Sequence, residues 1–212
     1  MKKLSNVTVI DHPLIRHKLA VLRDRTTETK KFRELVKEIT LVMTCESMKD
    51  IALIPVEVET PLEKTVQHRI KKNSIAVVAI LRAGLGMVDG VLDIVPTACI
   101  GHIGISRDEK TLEPNGYYCK LPEAIENKSV ILVDPMLATG GSAIDALDEV
   151  KKRGCKDIRF MAIIASPEGV EKVAAAHPDV KLYIAAIDDG LDEKGRIRPG
   201  LGDAGDRLCG TK

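Results

Sequence analysis

In the stretch "VILVDPMLATGGSAIDAL" (130–147), Asp134 closes an apolar run and Thr139-Gly140-Gly141-Ser142 opens a new apolar rhythm. Glycines at the start of a helix leave backbone N–H groups bare at the positive end of the helix dipole, an arrangement that binds phosphate. The hydroxyls of Thr139 and Ser142 can add donors, and a carboxylate at Asp134 can accept from sugar hydroxyls. A second candidate is "LRAGLGM" (81–87), where Arg82 offers a permanent cation beside a backbone able to approach an anion closely. Arg107, at the start of a polar stretch, is a third. Each has a plain alternative: a glycine turn, a solvated arginine, an exposed charge. Together they suit a phosphorylated ribose carrying a diphosphate.

The surrounding pattern must hold these groups in place. Residues 15, 19 and 22 are apolar on one helical face, and Phe32, Leu35, Val36, Ile39, Val42 and Met43 repeat that spacing, so the first fifty residues read as helix. From Ile51 the period becomes two, but Pro55 argues for an edge strand. Five nearly continuous apolar runs follow at 74–81, 97–105, 129–134, 158–166 and 181–188. Such runs are strands covered on both faces. Helical patterns at 87–94, 142–153 and 168–176 separate several of them, which predicts an α/β fold, a doubly wound and mainly parallel sheet in one domain. In such sheets, ligands bind beyond the carboxyl ends of the strands, where Asp134 and Arg82 fall. Two segments break the rhythm. The polar stretch 106–127, with Pro114-Asn115-Gly116 inside it, reads as a protruding arm or hairpin. The glycine-rich tail 188–212 keeps Ile197, Leu201 and Leu208, and reads as an ordered cap over the sheet's edge.

Other chemistries fit poorly. Thirty-two Lys and Arg against 31 Asp and Glu give no global basic field, so bulk charge supports neither nucleic-acid nor anionic-membrane binding. Five scattered cysteines form no disulfide framework or zinc knuckle, and no leader-like apolar segment follows Met1-Lys2-Lys3; the expectation is a reduced, soluble, cytoplasmic protein. No lysine makes a P-loop. Gly84, Gly86 and Gly90 miss the dinucleotide spacing, while Gly200, Gly202 and Gly205 match it without a buried strand before them. The histidines lack ligand or triad spacing, and His102, inside an apolar run, reads as a satisfied core residue.

In this order and spacing, "ILRAGLGM", "DPMLATGGS" and "PGLGDAGDRLCGTK" resemble the uracil phosphoribosyltransferases, a branch of the type I phosphoribosyltransferases. The resemblance covers nearly the whole chain, and the tail is its most specific part. It implies transfer of the phosphoribosyl group of phosphoribosyl diphosphate (PRPP) to N1 of uracil, giving UMP and diphosphate. It implies PRPP contacts from Arg82, Arg107, Asp203 and the loop Asp134, Pro135, Met136, Leu137, Ala138, Thr139, Gly140, Gly141 and Ser142. Uracil falls to Ile197, Gly202, Asp203 and Ala204, and catalysis to Asp203 and Arg107. Mg2+ would arrive with PRPP and water near Asp203, without direct protein side-chain ligands. A homodimer or larger assembly is implied, with GTP an effector in some members. Pro135 replaces the second acid common elsewhere in the type I group and favours the uracil branch; Arg196 stands where a tyrosine is expected, Cys209 where an aromatic is, and Ala79 where proline is frequent. The rivals are another base, a regulatory relative binding nucleotide and RNA, and a PRPP sensor without turnover.

Overall fold

The computed structural model describes residues 4–107 and 114–211; the side chains of residues 106, 107, 114 and 115 lie outside that description. From residue 4 the chain runs β1 (Val7–Val9), α1 (Pro13–Arg23), α2 (Thr29–Ser47), β2 (Leu53–Glu59), β3 (Lys64–Ile70), β4 (Ile75–Leu81), α3 (Leu85–Ile94) and β5 (Cys99–Arg107). It continues through β6 (Pro114–Lys120), a 3-10 turn (Ile125–Asn127), β7 (Ser129–Val133), β8 (Met136–Leu137), α4 (Gly141–Lys152), β9 (Ile158–Ala165), α5 (Pro167–Ala176) and β10 (Lys181–Ile187). The tail adds β11 (Gly190–Leu191), β12 (Ile197–Arg198) and α6 (Ala204–Cys209).

The main sheet has the order β1-β10-β9-β7-β4-β5-β6, with β8 beside β9. Its neighbours are parallel except for the antiparallel pair β5–β6. Side chains alternate between faces with a period of two, and here both faces are covered. Val77, Ala79, Ile131, Val133, Met161 and Ile163 share one apolar layer with residues of α1, α2 and α3. Ala76, Val78, Val130, Leu132, Phe160 and Ala162 share the other with α4 and α5. This doubly wound arrangement is the one expected from the continuous apolar runs. Each fully buried Val, Leu, Ile or Phe adds roughly 1.5–3 kcal/mol of transfer free energy.

Local chemistry sets the helix ends. Pro13 opens α1 while His12 caps it, its Nδ1 accepting from the Leu14 N–H at 3.2 Å. Pro167 opens α5 behind Ser166, whose Oγ accepts from Gly169 N–H at 2.9 Å. Thr40 and Thr44 turn their hydroxyls back onto the α2 backbone, leaving a smooth face. There α3 comes so close that a Cβ at Gly90 would lie 2.6 Å from the Lys37 carbonyl oxygen.

The 106–127 segment contributes β6, which pairs antiparallel with β5 as the hairpin the sequence offered and forms the sheet's edge; its residues 108–113 lie outside the described ones. Three readings change. The ribbon forming a separate two-stranded sheet is β2–β3, where Pro55 sits opposite His68; β3 escapes a sequence reading because one face is wholly polar and the other mixes Lys64 and His68 with Val66 and Ile70. Three residues of β1 lengthen the sheet ahead of the helices, a strand too short to show a period. His102 is only half-buried, and the deeply buried histidine is His177, 4% exposed at the end of α5.

Candidate active site

A cavity of about 800 Å³ opens beyond the carboxyl ends of β4 and β7. Its floor includes Ile80, Leu81, Arg82 and Asp134, its flank Met136, Ala138 and Ser142, and its roof the tail from Asp192 to Asp206. The tail therefore caps the strand ends, not the sheet's lateral edge. Of the residues singled out in the sequence, Arg82, Asp134, Met136, Ala138, Ser142, Ile197, Gly202, Asp203 and Ala204 line this one space. Pro135, Leu137, Thr139, Gly140 and Gly141 belong to the same loop without lining it. Pro135 and Leu137 are buried; the Pro135 carbonyl accepts from the Ile163 and Ile164 N–H groups, and Leu137 pairs with Ala165. Arg107 closes β5, and its side chain lies outside the described residues.

Close packing shapes the loop before α4. Gly140 takes φ +81° as the N-cap of α4, and a Cβ there would meet Val173 and the Gly169 carbonyl at 3.1 and 3.2 Å. A Cβ at Gly169 would lie 2.1 Å from the Ala138 carbonyl oxygen, which also accepts from Ser166 Oγ at 2.6 Å. The loop thus rests on the first turn of α5, and no side chain caps α4. Its first N–H groups are presented by glycine backbone, as the sequence indicated. At the far end of α4, Lys151 and Lys152 oppose the helix dipole, and Gly154 follows with φ +85°. The Asp134 carboxylate accepts from the Met136 N–H at 3.2 Å.

Charge and backbone hydrogen bonds shape the roof. Arg23 grips the carboxylate of Asp188, which is 3% exposed at its side chain, and Nη1 also donates to the Gly200 carbonyl at 2.6 Å. Asp188 Oδ2 in turn accepts from the Gly200 N–H at 2.9 Å. Arg207 donates to the carbonyls of Leu22, Leu201, Asp24 and Thr27 and stacks over Phe32 at 4.3 Å. Arg33 Nε holds the Leu208 carbonyl at 2.6 Å. Apolar anchors complete it: Ile197, Leu201, Ala204 and Leu208 join the helical layer. Gly86 leaves room for Leu208, whose Cδ2 would sit 2.7 Å from a Cβ there.

Two cavity carboxylates were absent from the sequence reading. Asp192 starts the β11–β12 turn, and the backbone N–H of Arg196, with that of Lys194, holds its carboxyl below the ordinary value. The signal was present as Asp192-Glu193-Lys194-Gly195, an acid opening a turn that ends on a glycine, here at φ +71°. Asp206, in α6, faces Arg82 across 3.3 Å. Asp203 caps α6, its Oδ1 accepting from the Asp206 N–H at 3.0 Å. Arg196 and Arg198 also line the cavity.

The doubly wound, mainly parallel sheet with a glycine loop at one strand end and a cavity above it is the fold of solved type I phosphoribosyltransferases. A solved adenine phosphoribosyltransferase from Trypanosoma brucei shares the fold at a TM-score of 0.60 and 14% identity, over 96% of this chain and 90% of that one. The particular family is equally plain: the family model for uracil phosphoribosyltransferase matches residues 9–211, and the chain belongs to that family. It is 58% identical to the uracil phosphoribosyltransferase of Streptococcus suis, over 96% of this chain and 98% of that protein. The one from Staphylococcus epidermidis is 56% identical over 99% and 100%. A solved protein from Aquifex aeolicus superposes with a TM-score of 0.92 at 40% identity, covering 95% of this chain and 97% of that one. The chain is accordingly a transferase, in a family that makes UMP from uracil and PRPP.

Proposed function

We propose that this cavity joins uracil N1 to the anomeric carbon of PRPP, with the sugar phosphate and the base held at opposite ends. The observation that carries this reading is the shared cavity: loop residues Asp134 and Ser142 and tail residues Ile197 and Asp203 all line it. In this reading the N–H groups at the start of α4, with Thr139 and Ser142, bind the 5′-phosphate, and Asp134 accepts from the ribose hydroxyls. The loop residues Pro135, Met136, Leu137, Ala138, Gly140 and Gly141 set the path of that backbone. Arg82 and Arg107 take the diphosphate. Backbone groups of Ile197, Gly202 and Ala204 read uracil, and Asp203 faces both substrates.

No cluster of three or more His, Cys, Asp or Glu among the described residues could hold a metal. That donor set does not suit a protein-built cage, but a carboxylate at Asp203 suits Mg2+ carried in by PRPP with its own waters. When bound, Mg2+ would offset charge on the diphosphate oxygens. As the C–O bond to diphosphate breaks and the C–N bond forms, positive charge builds on the sugar, uracil N1 releases its proton to the departing diphosphate, and positioning with charge stabilisation lowers the barrier. No protein nucleophile is required.

The test is incubation with PRPP, Mg2+ and uracil, hypoxanthine, adenine or orotate in turn. UMP from uracil alone is the expected result; turnover of another base, or binding without product, overturns the reading. A homo-oligomer belongs to the same proposal, supported by Leu53, Ile54, Leu62, Val66 and Ile70, all exposed on or beside the β2–β3 ribbon. Light scattering of the pure protein tests it. GTP rests on the resemblance alone, and a GTP titration of the uracil assay decides it. No helix among the described residues is long and apolar enough to cross a membrane. The cytoplasmic assignment is supported by free thiols exposed at Cys45, Cys119 and Cys209.

A further inference from the structure

Arg82 carries a partner of its own. Its Nη2 lies 3.3 Å from Asp206 Oδ1, and the same oxygen accepts from Thr211 Oγ1 at 2.6 Å. Asp206 is also tied through its backbone: its N–H goes to Asp203 Oδ1 at 3.0 Å, and its carbonyl accepts from Gly210 N–H at 2.7 Å and Thr211 N–H at 3.2 Å. The carboxylate is therefore fixed at the cavity wall, while the Arg82 side chain is 55% exposed and free to swing on its own bonds. An exposed single-contact ion pair is weak and easily exchanged, and a diphosphate offers Arg82 more charge and more acceptor oxygens.

We propose that Asp206 is a positioning residue that acts as an internal rival to the diphosphate for Arg82. It aims the guanidinium into the cavity before PRPP arrives, and it takes the guanidinium back as diphosphate departs. A fixed negative charge a few ångströms from the leaving group also repels it. Asp206 thus loosens the hold on product diphosphate, at some cost in PRPP affinity. This rests on the reading of Arg82 as a diphosphate ligand.

Asp206→Asn is the informative variant, because its side-chain oxygen can still accept from Thr211 and Arg82 while the charge is gone. Calorimetric titration of the full chain with inorganic diphosphate and Mg2+ should show binding about two- to fivefold tighter than wild type, the scale of one exposed ion pair. In steady state the KM for PRPP should fall, diphosphate inhibition should strengthen, and the KM for uracil should hold. Thr211→Val, which removes an anchor and no charge, should leave the diphosphate affinity near wild type. A role confined to anchoring the tail gives the opposite pattern: weaker diphosphate binding and raised KM for both substrates in Asp206→Asn, which overturns the proposal. Asp206→Ser repeats the comparison should Asn perturb folding, with thermal melts of each variant as the check. Arg82→Ala separates the two layers. Unchanged diphosphate affinity there overturns the Arg82 assignment as well, whereas weakened affinity without tightening in Asp206→Asn overturns the rival-charge proposal alone.

Discussion

The two sides of the cavity are built by different physics. The loop from Asp134 to Ser142 is held by atoms touching: Gly169 against the Ala138 carbonyl, Gly140 against Val173, β8 against β9. The roof has little regular structure, and arginines fasten its backbone to the corner between α1 and α2. On the proposed assignment, the phosphate falls to the strand–loop–helix unit itself, and the base falls to a segment fastened on from outside that unit.

Gly169→Ala should break the loop side most severely. Its Cβ would press on the Ala138 carbonyl from 2.1 Å, and backbone must yield. A displaced loop is expected to lower kcat/KM for PRPP about 100-fold, the scale of an ångström's misplacement. The KM for uracil should move far less in the same steady-state assay.

Asp188→Ala should invert that pattern. It leaves the Arg23 guanidinium and the Gly200 N–H without their shared acceptor beneath the roof. About 2 kcal/mol of stability should be lost by urea titration, below the full figure for a buried pair because Arg23 keeps some water contact. The KM for uracil should rise before that for PRPP does; equal rises would erase the distinction between the two sides. Arg207→Lys is gentler. It keeps the charge but loses the planar fork on four carbonyls and most of the stacking on Phe32. A loss of about 1 kcal/mol is expected, again with uracil affected first.

A third region, at the amino ends of the strands, sharpens the contrast because it belongs to neither side. Arg159, 2% exposed, donates to Asp157 and Asp50 at 2.6 and 2.8 Å and to the Ser47 carbonyl at 2.9 Å. Hydrogen bonds from Lys181 and then Arg159 draw the Asp50 carboxyl down to about 2. A lowered carboxylate stabilises the fold above its unfolded value near 4, and that contribution is lost as pH falls toward 2. Acid titrations of wild type and Asp50→Asn should therefore differ at pH 6 and converge near pH 2, with no change in either KM at neutral pH. The smallest effect is at His177, where burial and then Lys151 push the imidazole below its ordinary value. The folded state favours the neutral ring, so stability should decline as pH drops below about 6.5. In His177→Gln, thermal melts should show a shallower decline.

How much of this was legible follows the same division. The strands at 75–81, 129–133, 158–165 and 181–187 fall within a residue or two of the apolar runs, because burial on both faces leaves no polar position to blur them. The loop residues and Arg82 were visible because glycines and a lone cation at strand ends are local signals. Asp188, Arg23, Arg33 and Arg207 were not, since a charge that bonds to distant carbonyls looks like any surface charge in sequence. Asp206 was hidden in the same way, its partner lying 124 positions away. Gly169 likewise resembles an ordinary helix glycine until Ala138 is seen against it.

The roof's fastenings also set an order in time. Arg23 and Asp188 are 165 positions apart, and Arg207 reaches back 185 positions to Leu22. Contacts that close such long loops form only after the chain between them has been gathered in, and they are among the first released when a structure opens locally. On the proposed assignment of the base to the roof, base recognition should be the first property lost. In rising urea, uracil turnover should disappear while the sheet's circular dichroism still holds.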